Sequence, residues 1–186
     1  MTTTNVSRLL VRTVRVLDQF TETTGRMVAW LNLPMVVLTC AVVILRYVFN
    51  SGSIALQESV MYLHGTIFMV GMAYTLKHNE HVRVDIFYQR QRPRVQALID
   101  LLGTLFLLGP VVGFIAVQSW GYVADSWAVR EVSYEANGLP WVYLLKTLIL
   151  VMVALLTLQG LAETLRHLGR LLGWPMPGDP AVQEGV

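Results

Sequence analysis

Arg46, Glu58, His64 and Lys146 are the polar side chains that interrupt or border long apolar stretches in this chain. An ionisable group among apolar neighbours is costly, so each must find a partner or serve a function. Glu58 could hold an ion or a substrate, but Arg46 lies near enough in sequence to neutralise it across a short turn. Ion pairing is the expected outcome for both. His64 could ligate haem or relay protons. Haem held between two histidines needs a second one at similar depth, and His78, His81 and His167 all fall outside the apolar stretches. A packed, hydrogen-bonded His64 is therefore expected, on a face shared with Gln57, Gly71 and Thr75 that should point at another helix. Lys146 can reach outward to headgroups or to an acidic partner. No metal-ligand spacing, nucleophile with a base, or phosphate loop occurs. The residues point to no catalytic, cofactor or metal site.

The elements that must position these side chains are four apolar segments, at about 27–49, 57–76, 97–120 and 139–162. Helices of this length, rising about 1.5 Å per residue, can cross a hydrocarbon layer roughly 30 Å thick. They are apolar all round, whereas a helix of a water-soluble bundle carries charge along one side. The fold class read from this is all-α: a polytopic membrane protein with four transmembrane helices. Basic residues fall on alternate connections. Arg8, Arg12, Arg15 and Arg26 precede the first segment. Lys77, Arg83, Arg90, Arg92 and Arg94 lie between the second and third, and Arg166 and Arg170 follow the fourth. The other two connections carry only Arg130, apart from Arg46 and Lys146 at segment edges. Because basic flanks stay on the cytoplasmic side, the N-terminus and the C-terminus are both expected there.

Composition agrees. Hydrophobic residues make up 54% of the 186-residue chain and charged residues 14%, well under the quarter usual in soluble domains. The isoelectric point near 8.9 could suggest nucleic acid, but basic residues beside membrane spans are better explained by anionic lipid headgroups. The single cysteine, Cys40, lies within the first span and excludes an internal disulfide.

The leader, residues 1–26, reads as a basic amphipathic helix lying on the inner membrane face. Val6, Leu9, Leu10, Val14, Leu17 and Phe20 form its apolar side, with Arg8, Arg12 and Arg15 at complementary positions. Residues 27–170 form the membrane domain, and the tail 171–186, rich in Gly and Pro, is expected to be disordered. Gly109 and Gly113 make a small-xxx-small pair suited to close helix contact. Trp120, Trp127, Trp141 and Tyr143 form an aromatic belt at the outer interface.

Several short segments carry a resemblance. These are Arg46-Tyr47-Val48-Phe49-Asn50, Gln57-Glu58-Ser59-Val60-Met61-Tyr62 and Gly71-Met72-Ala73-Tyr74-Thr75-Leu76-Lys77-His78-Asn79-Glu80-His81-Val82-Arg83-Val84-Asp85. With Ser133, Gly138, Leu139, Pro140, Trp141, Lys146 and Gln159 further on, the chain resembles the small membrane subunit (DctQ-type) of tripartite ATP-independent periplasmic (TRAP) transporters over essentially its whole length. It departs from the family pattern in having Ala55, Leu56 and Gln57 before a single Glu58. The resemblance implies a non-enzymatic, multi-pass protein of the bacterial inner membrane. Its expected partners are a large membrane transport subunit, a periplasmic substrate-binding protein in transient contact, and membrane lipids. Sodium would be used by the large subunit in moving an organic acid, and no cofactor would be bound here.

On this reading His81, Arg83 and Asp85, alternating along an extended segment, form a cytoplasmic clamp in which Arg83 holds a carboxylate or a helix end. Two other classes are weighed against it. A stand-alone four-helix exporter needs an acidic residue deep in a span, and Glu58 sits too near an edge. A haem-bearing or structural anchor of a respiratory complex is disfavoured by the shortage of histidines within the spans.

Overall fold

The computed structural model describes residues 2–80, 88 and 90–177, with side chains from Ser7 onward. Among these the fold is all-α. Helix α1 spans Thr2–Ala29, α2 Asn32–Tyr47, α3 Ile54–Lys77, α4 Pro93–Gly103, α5 Gly109–Ala128 and α6 Val142–Leu171. Four helical stretches are long and apolar enough to cross a membrane: 7–47 (α1 with α2), α3, 93–128 (α4 with α5) and α6.

Two prolines explain the breaks inside the long stretches. A proline ring clashes with the carbonyl four residues back, and Pro34 therefore meets Trp30, where α1 gives way to α2. The Asn32 side-chain amide donates to the Ala29 carbonyl at 2.9 Å and takes up an acceptor that the break exposes. The first apolar segment thus straddles the last turn of α1 and the 16 residues of α2. Pro110 acts on the third segment in the same way. The turn before it, Thr104–Leu108, widens into a π-helix, and the Gly109 N–H bonds the Thr104 carbonyl. The extra residue in that turn absorbs the missing donor without ending the helix.

Helix ends share one device. Asn79 (φ 56°), Arg130 (φ 48°) and Gly173 (φ 75°) adopt the left-handed conformation just past α3, α5 and α6. The next amide in each case bonds back into the last turn: Glu80 to Thr75 at 3.1 Å, Glu131 to Ser126 at 3.0 Å and Trp174 to Gly169 at 2.9 Å. These bonds satisfy carbonyls that helix ends leave unpaired. After Gly173 the chain folds back, and fully buried Met176 lies against Gly169, where a Cβ would collide with its side chain.

Helix α6 is the central element and touches α1, α3, α4 and α5. The apolar core, Ala73, Val112, Met152, Leu155 and Leu156, joins α3, α5 and α6. Helix α2 packs on α3 and buries none of its own residues. Helix α1 enters between α3 and α6, with Val14 and Thr21 buried.

Candidate functional site: polar clusters at the two ends of the bundle

The polar side chains gather at the bundle's two ends. At the end where the last turns of α6 meet α1, Arg166 on α6 donates through Nη2 to both carboxylate oxygens of Asp18 on α1, at 2.7 and 2.6 Å. Its Nη1 bonds the Glu163 carboxylate. Gln159, with 0% exposure, links the same partners. Its amide donates to Glu163 at 3.0 Å and to Asp18 at 3.2 Å, and its carbonyl accepts from the Thr21 hydroxyl at 2.7 Å. Helical periodicity makes this possible, because residues 159, 163 and 166 follow one another at intervals of four and three on one face of α6. Two carboxylates against one guanidinium, with an amide filling the remaining sites, satisfy most of the buried polar atoms. Arg166 Nε and His167 Nδ1 are the exceptions among the described residues here, lying buried without a hydrogen-bond partner. His167 faces Glu163 at 3.6 Å and Asp100 at 3.9 Å, and Asp100 accepts from the Tyr88 hydroxyl at 2.6 Å.

A second pairing at this end ties α1 to α3. The Glu22 carboxylate takes Lys77 at 2.6 Å, His78 at 3.0 Å and Arg26 at 2.8 Å. One turn further on, Gly25 sits so close to Tyr74 that any Cβ would fall 2.7 Å from the tyrosine Cβ. Only glycine permits that approach.

At the opposite end the connection between α5 and α6 is clasped to α3. Glu58 accepts from the Ser133 hydroxyl and, at 2.5 Å, from the Leu139 N–H. Gly138 fits beneath, since a Cβ there would meet Ser133 and would lie 2.8 Å from Glu58. Lys146 pairs with Glu131 at 2.5 Å and lies 3.9 Å from the Tyr122 ring centroid. The lysine hydrogen bond holds the Glu131 carboxyl below its ordinary range. Trp127 donates to the Thr147 hydroxyl at 2.8 Å and packs edge-on against Tyr143, with Arg130 over both rings.

The sequence-derived candidates divide accordingly. Glu58 and Lys146 are paired, but Glu58 is held by the α5–α6 connection and not by Arg46, which stands exposed on α2. The turn between α2 and α3 turns Arg46 outward, whereas the α5–α6 connection brings a hydroxyl and an amide to Glu58. His64 and Gln57 lie on the exposed side of α3, and His64 stacks on Phe68 at 6.3 Å instead of packing inside this chain's bundle. Gly71 lines a crevice of about 520 Å³ with Gly25, Arg26, Asn32 and Phe68. Gly109 and Gly113 make no close helix contact. A Cβ on Gly113 would meet nothing within 4 Å, and both glycines line an apolar groove between α5 and α6. Close approach occurs instead at Gly160, where a Cβ would lie 3.2 Å from Leu108. Trp141 precedes α6, and its carbonyl accepts from the Leu144 N–H at 2.9 Å. His81, Arg83 and Asp85 lie outside the described residues. Sequence reasoning missed Asp18, Glu22, Glu163 and Arg166. Their signal was present as polar residues at intervals of three and four in both α1 and α6.

Both clusters bind helix to helix, and among the described residues no group of His, Cys, Asp or Glu could hold a metal ion. The class defined by this architecture is a small multi-pass membrane protein whose polar groups hold its own helices together. Residues 35–170 match the family profile of the DctQ component of tripartite ATP-independent periplasmic transporters. The chain belongs to this family of non-enzymatic permease subunits. It is 25% identical over 123 residues to the C4-dicarboxylate TRAP transporter small permease protein DctQ of Vibrio cholerae serotype O1, an alignment covering 66% of this chain and 52% of that one. The chain spans about half the length of this curated relative. No solved structure matches it.

Proposed function

We propose that this chain is the small permease subunit of a sodium-coupled organic-acid transporter, serving as fixed scaffold for a large transport subunit without carrying substrate. The observation that supports this best is where its charges are used. Asp18, Glu22, Glu58, Glu131, Glu163, Lys77, Lys146 and Arg166 are all engaged in bonds between or beside this chain's own helices. A carrier site instead needs broken helices and polar groups converging near the bilayer midplane. Among the described residues the buried core, Ala73, Val112, Met152, Leu155 and Leu156, is wholly apolar.

The bundle also leaves much apolar surface for others to cover. Helix α2 buries none of its residues and exposes Leu33, Val36, Val37, Val43 and Ile44, and Met61 and Phe68 flank His64 on the outer side of α3. A helix with one polar residue on an otherwise apolar exposed side suits a neighbouring transmembrane helix better than lipid. The bacterial inner membrane, with both termini on the cytoplasmic side, fits Arg8, Arg12, Arg15 and Arg26 before the first apolar segment and Arg166 and Arg170 after the last. In α1 the exposed Leu9, Val16, Phe20 and Met27 recur on one stripe with Arg8, Arg12, Arg15 and Arg26 along its edge. That arrangement suits a helix resting on an anionic membrane surface. Because the Vibrio cholerae relative is a C4-dicarboxylate TRAP transporter subunit, a C4-dicarboxylate is the first substrate to try.

Co-expression with the large subunit tests the reading. The two should co-purify, and His64→Leu with Gln57→Leu should weaken recovery while leaving the small subunit folded. Separate elution of the wild-type chains would contradict it. A reporter fused after Val186 should be active on the cytoplasmic side only.

A further inference from the structure

Helix α4 has little holding it to α6. Of its 11 residues only Ala97 is buried. Cavities of about 650 and 260 Å³ adjoin it, and Asp100 lines both. Its C-terminal end runs into the π-helical turn Thr104–Leu108, and a widened turn is where a helix bends most readily. At the contact with α6 stands His167, only 5% exposed. Its Nδ1 lies 3.9 Å from the Asp100 carboxylate and its Nε2 3.6 Å from that of Glu163. Neither distance is a hydrogen bond, so the ring is buried with both nitrogens unbonded.

We propose that protonation of His167 releases α4 from α6, the helix swinging about the turn Thr104–Leu108. A neutral ring is tolerated in such a contact, whereas an imidazolium must be hydrated or paired. Both carboxylates beside it are already committed. Glu163 accepts from Arg166 and Gln159, and Asp100 accepts from the Tyr88 hydroxyl. Asp100 and Glu163 favour a positive charge at the ring, while Arg166 and Arg170 oppose it. The opposing charges leave the loss of hydration to decide. Other charged groups near this end are turned elsewhere. Lys77 and His78, at the end of α3, meet Glu22, and Asp18 of α1 holds Arg166. Asn79, the polar α3 residue that lines the 260 Å³ cavity with His167, is neutral. Water is therefore the partner left for a charged ring, and it reaches the ring through that cavity as α4 moves aside.

The test is hydrogen–deuterium exchange of the purified full chain in detergent between about pH 7.5 and 5.5, where imidazole titrates. Protection of residues 94–103 is compared with that of residues 150–158 in α6, after correction for each amide's intrinsic rate. Opening that takes up one proton should lower the relative protection of α4 by up to about tenfold per pH unit below about pH 6.5. His167→Gln, which cannot take the charge, should remove this dependence. His64→Gln, His78→Gln and His81→Gln should each keep it, which assigns the effect even if His167→Gln does not fold. Relative protection that stays flat or rises as the pH falls would overturn the proposal. So would its persistence in His167→Gln or its loss in any of the other three variants.

Discussion

Asp18 and Arg166, separated by 148 positions in the chain, meet through a two-pronged ion pair at 2.6 and 2.7 Å. This pair fastens the leader helix to the last helix, so α1 belongs to the packed structure. The Arg166 side chain is only 8% exposed and Glu163 5%, which sets the cost of losing either partner. Arg166→Ala leaves the buried Glu163 and the half-buried Asp18 carboxylates without their cation, held only by the Gln159 amide, and should destabilise the chain by about 3 kcal/mol. Asp18→Asn combined with Arg166→Met should recover part of that loss. Thermal unfolding of the purified variants, followed by circular dichroism, reads both results.

The glycines provide a contrast of sign. Gly25→Ala forces Tyr74 away from α1 and should cost about 1–3 kcal/mol, the range for overpacking a tight contact. Gly113→Ala adds a methyl where nothing lies within 4 Å, so the isolated chain should gain up to about 1 kcal/mol from better helix propensity. Melting temperatures moving in opposite directions would bear this out.

Glu58 anchors the α5–α6 connection. Glu58→Ala leaves the part-buried Leu139 N–H without its acceptor, a loss of about 1 kcal/mol because water can partly replace the carboxylate. Faster hydrogen exchange at the Leu139 amide, with exchange in the α3–α6 core unchanged, is the expected signature.

The Glu131–Lys146 pair gives a pH dependence. Because the folded chain holds the Glu131 carboxyl below its ordinary value of 4.5, the pair stabilises fully above that pH and fades as acid titrates the carboxyl through its lowered value. Trp127 fluorescence should therefore stay constant from neutrality to about pH 5 and change only in stronger acid. Glu131→Gln should remove that acid limb.

Much of the architecture is legible in the sequence because an apolar helix in lipid has few alternatives. The four crossing segments follow from hydropathy alone, and Pro34 and Pro110 mark where helices break or widen. The Glu131–Lys146 pair was visible only as a lysine in need of an acid. The Asp18–Glu163–Arg166 cluster was hidden, since charges beside a span boundary read as solvated flanks until α6 is seen to run to Leu171. Arg46 and Glu58 lie close in sequence, but the turn between α2 and α3 aims them apart, and a contact from 75 residues away takes the carboxylate. Pairing across such distances depends on how the helices pack, which local pattern does not encode.

The central claim is that this subunit supports transport without carrying substrate. Uptake of a radiolabelled C4-dicarboxylate into liposomes under an inward sodium gradient tests it most directly, comparing the small subunit alone with the complete set of subunits and binding protein. The account predicts uptake by the complete set and only background leakage from the small subunit alone. Saturable, sodium-dependent uptake by the small subunit alone would contradict it.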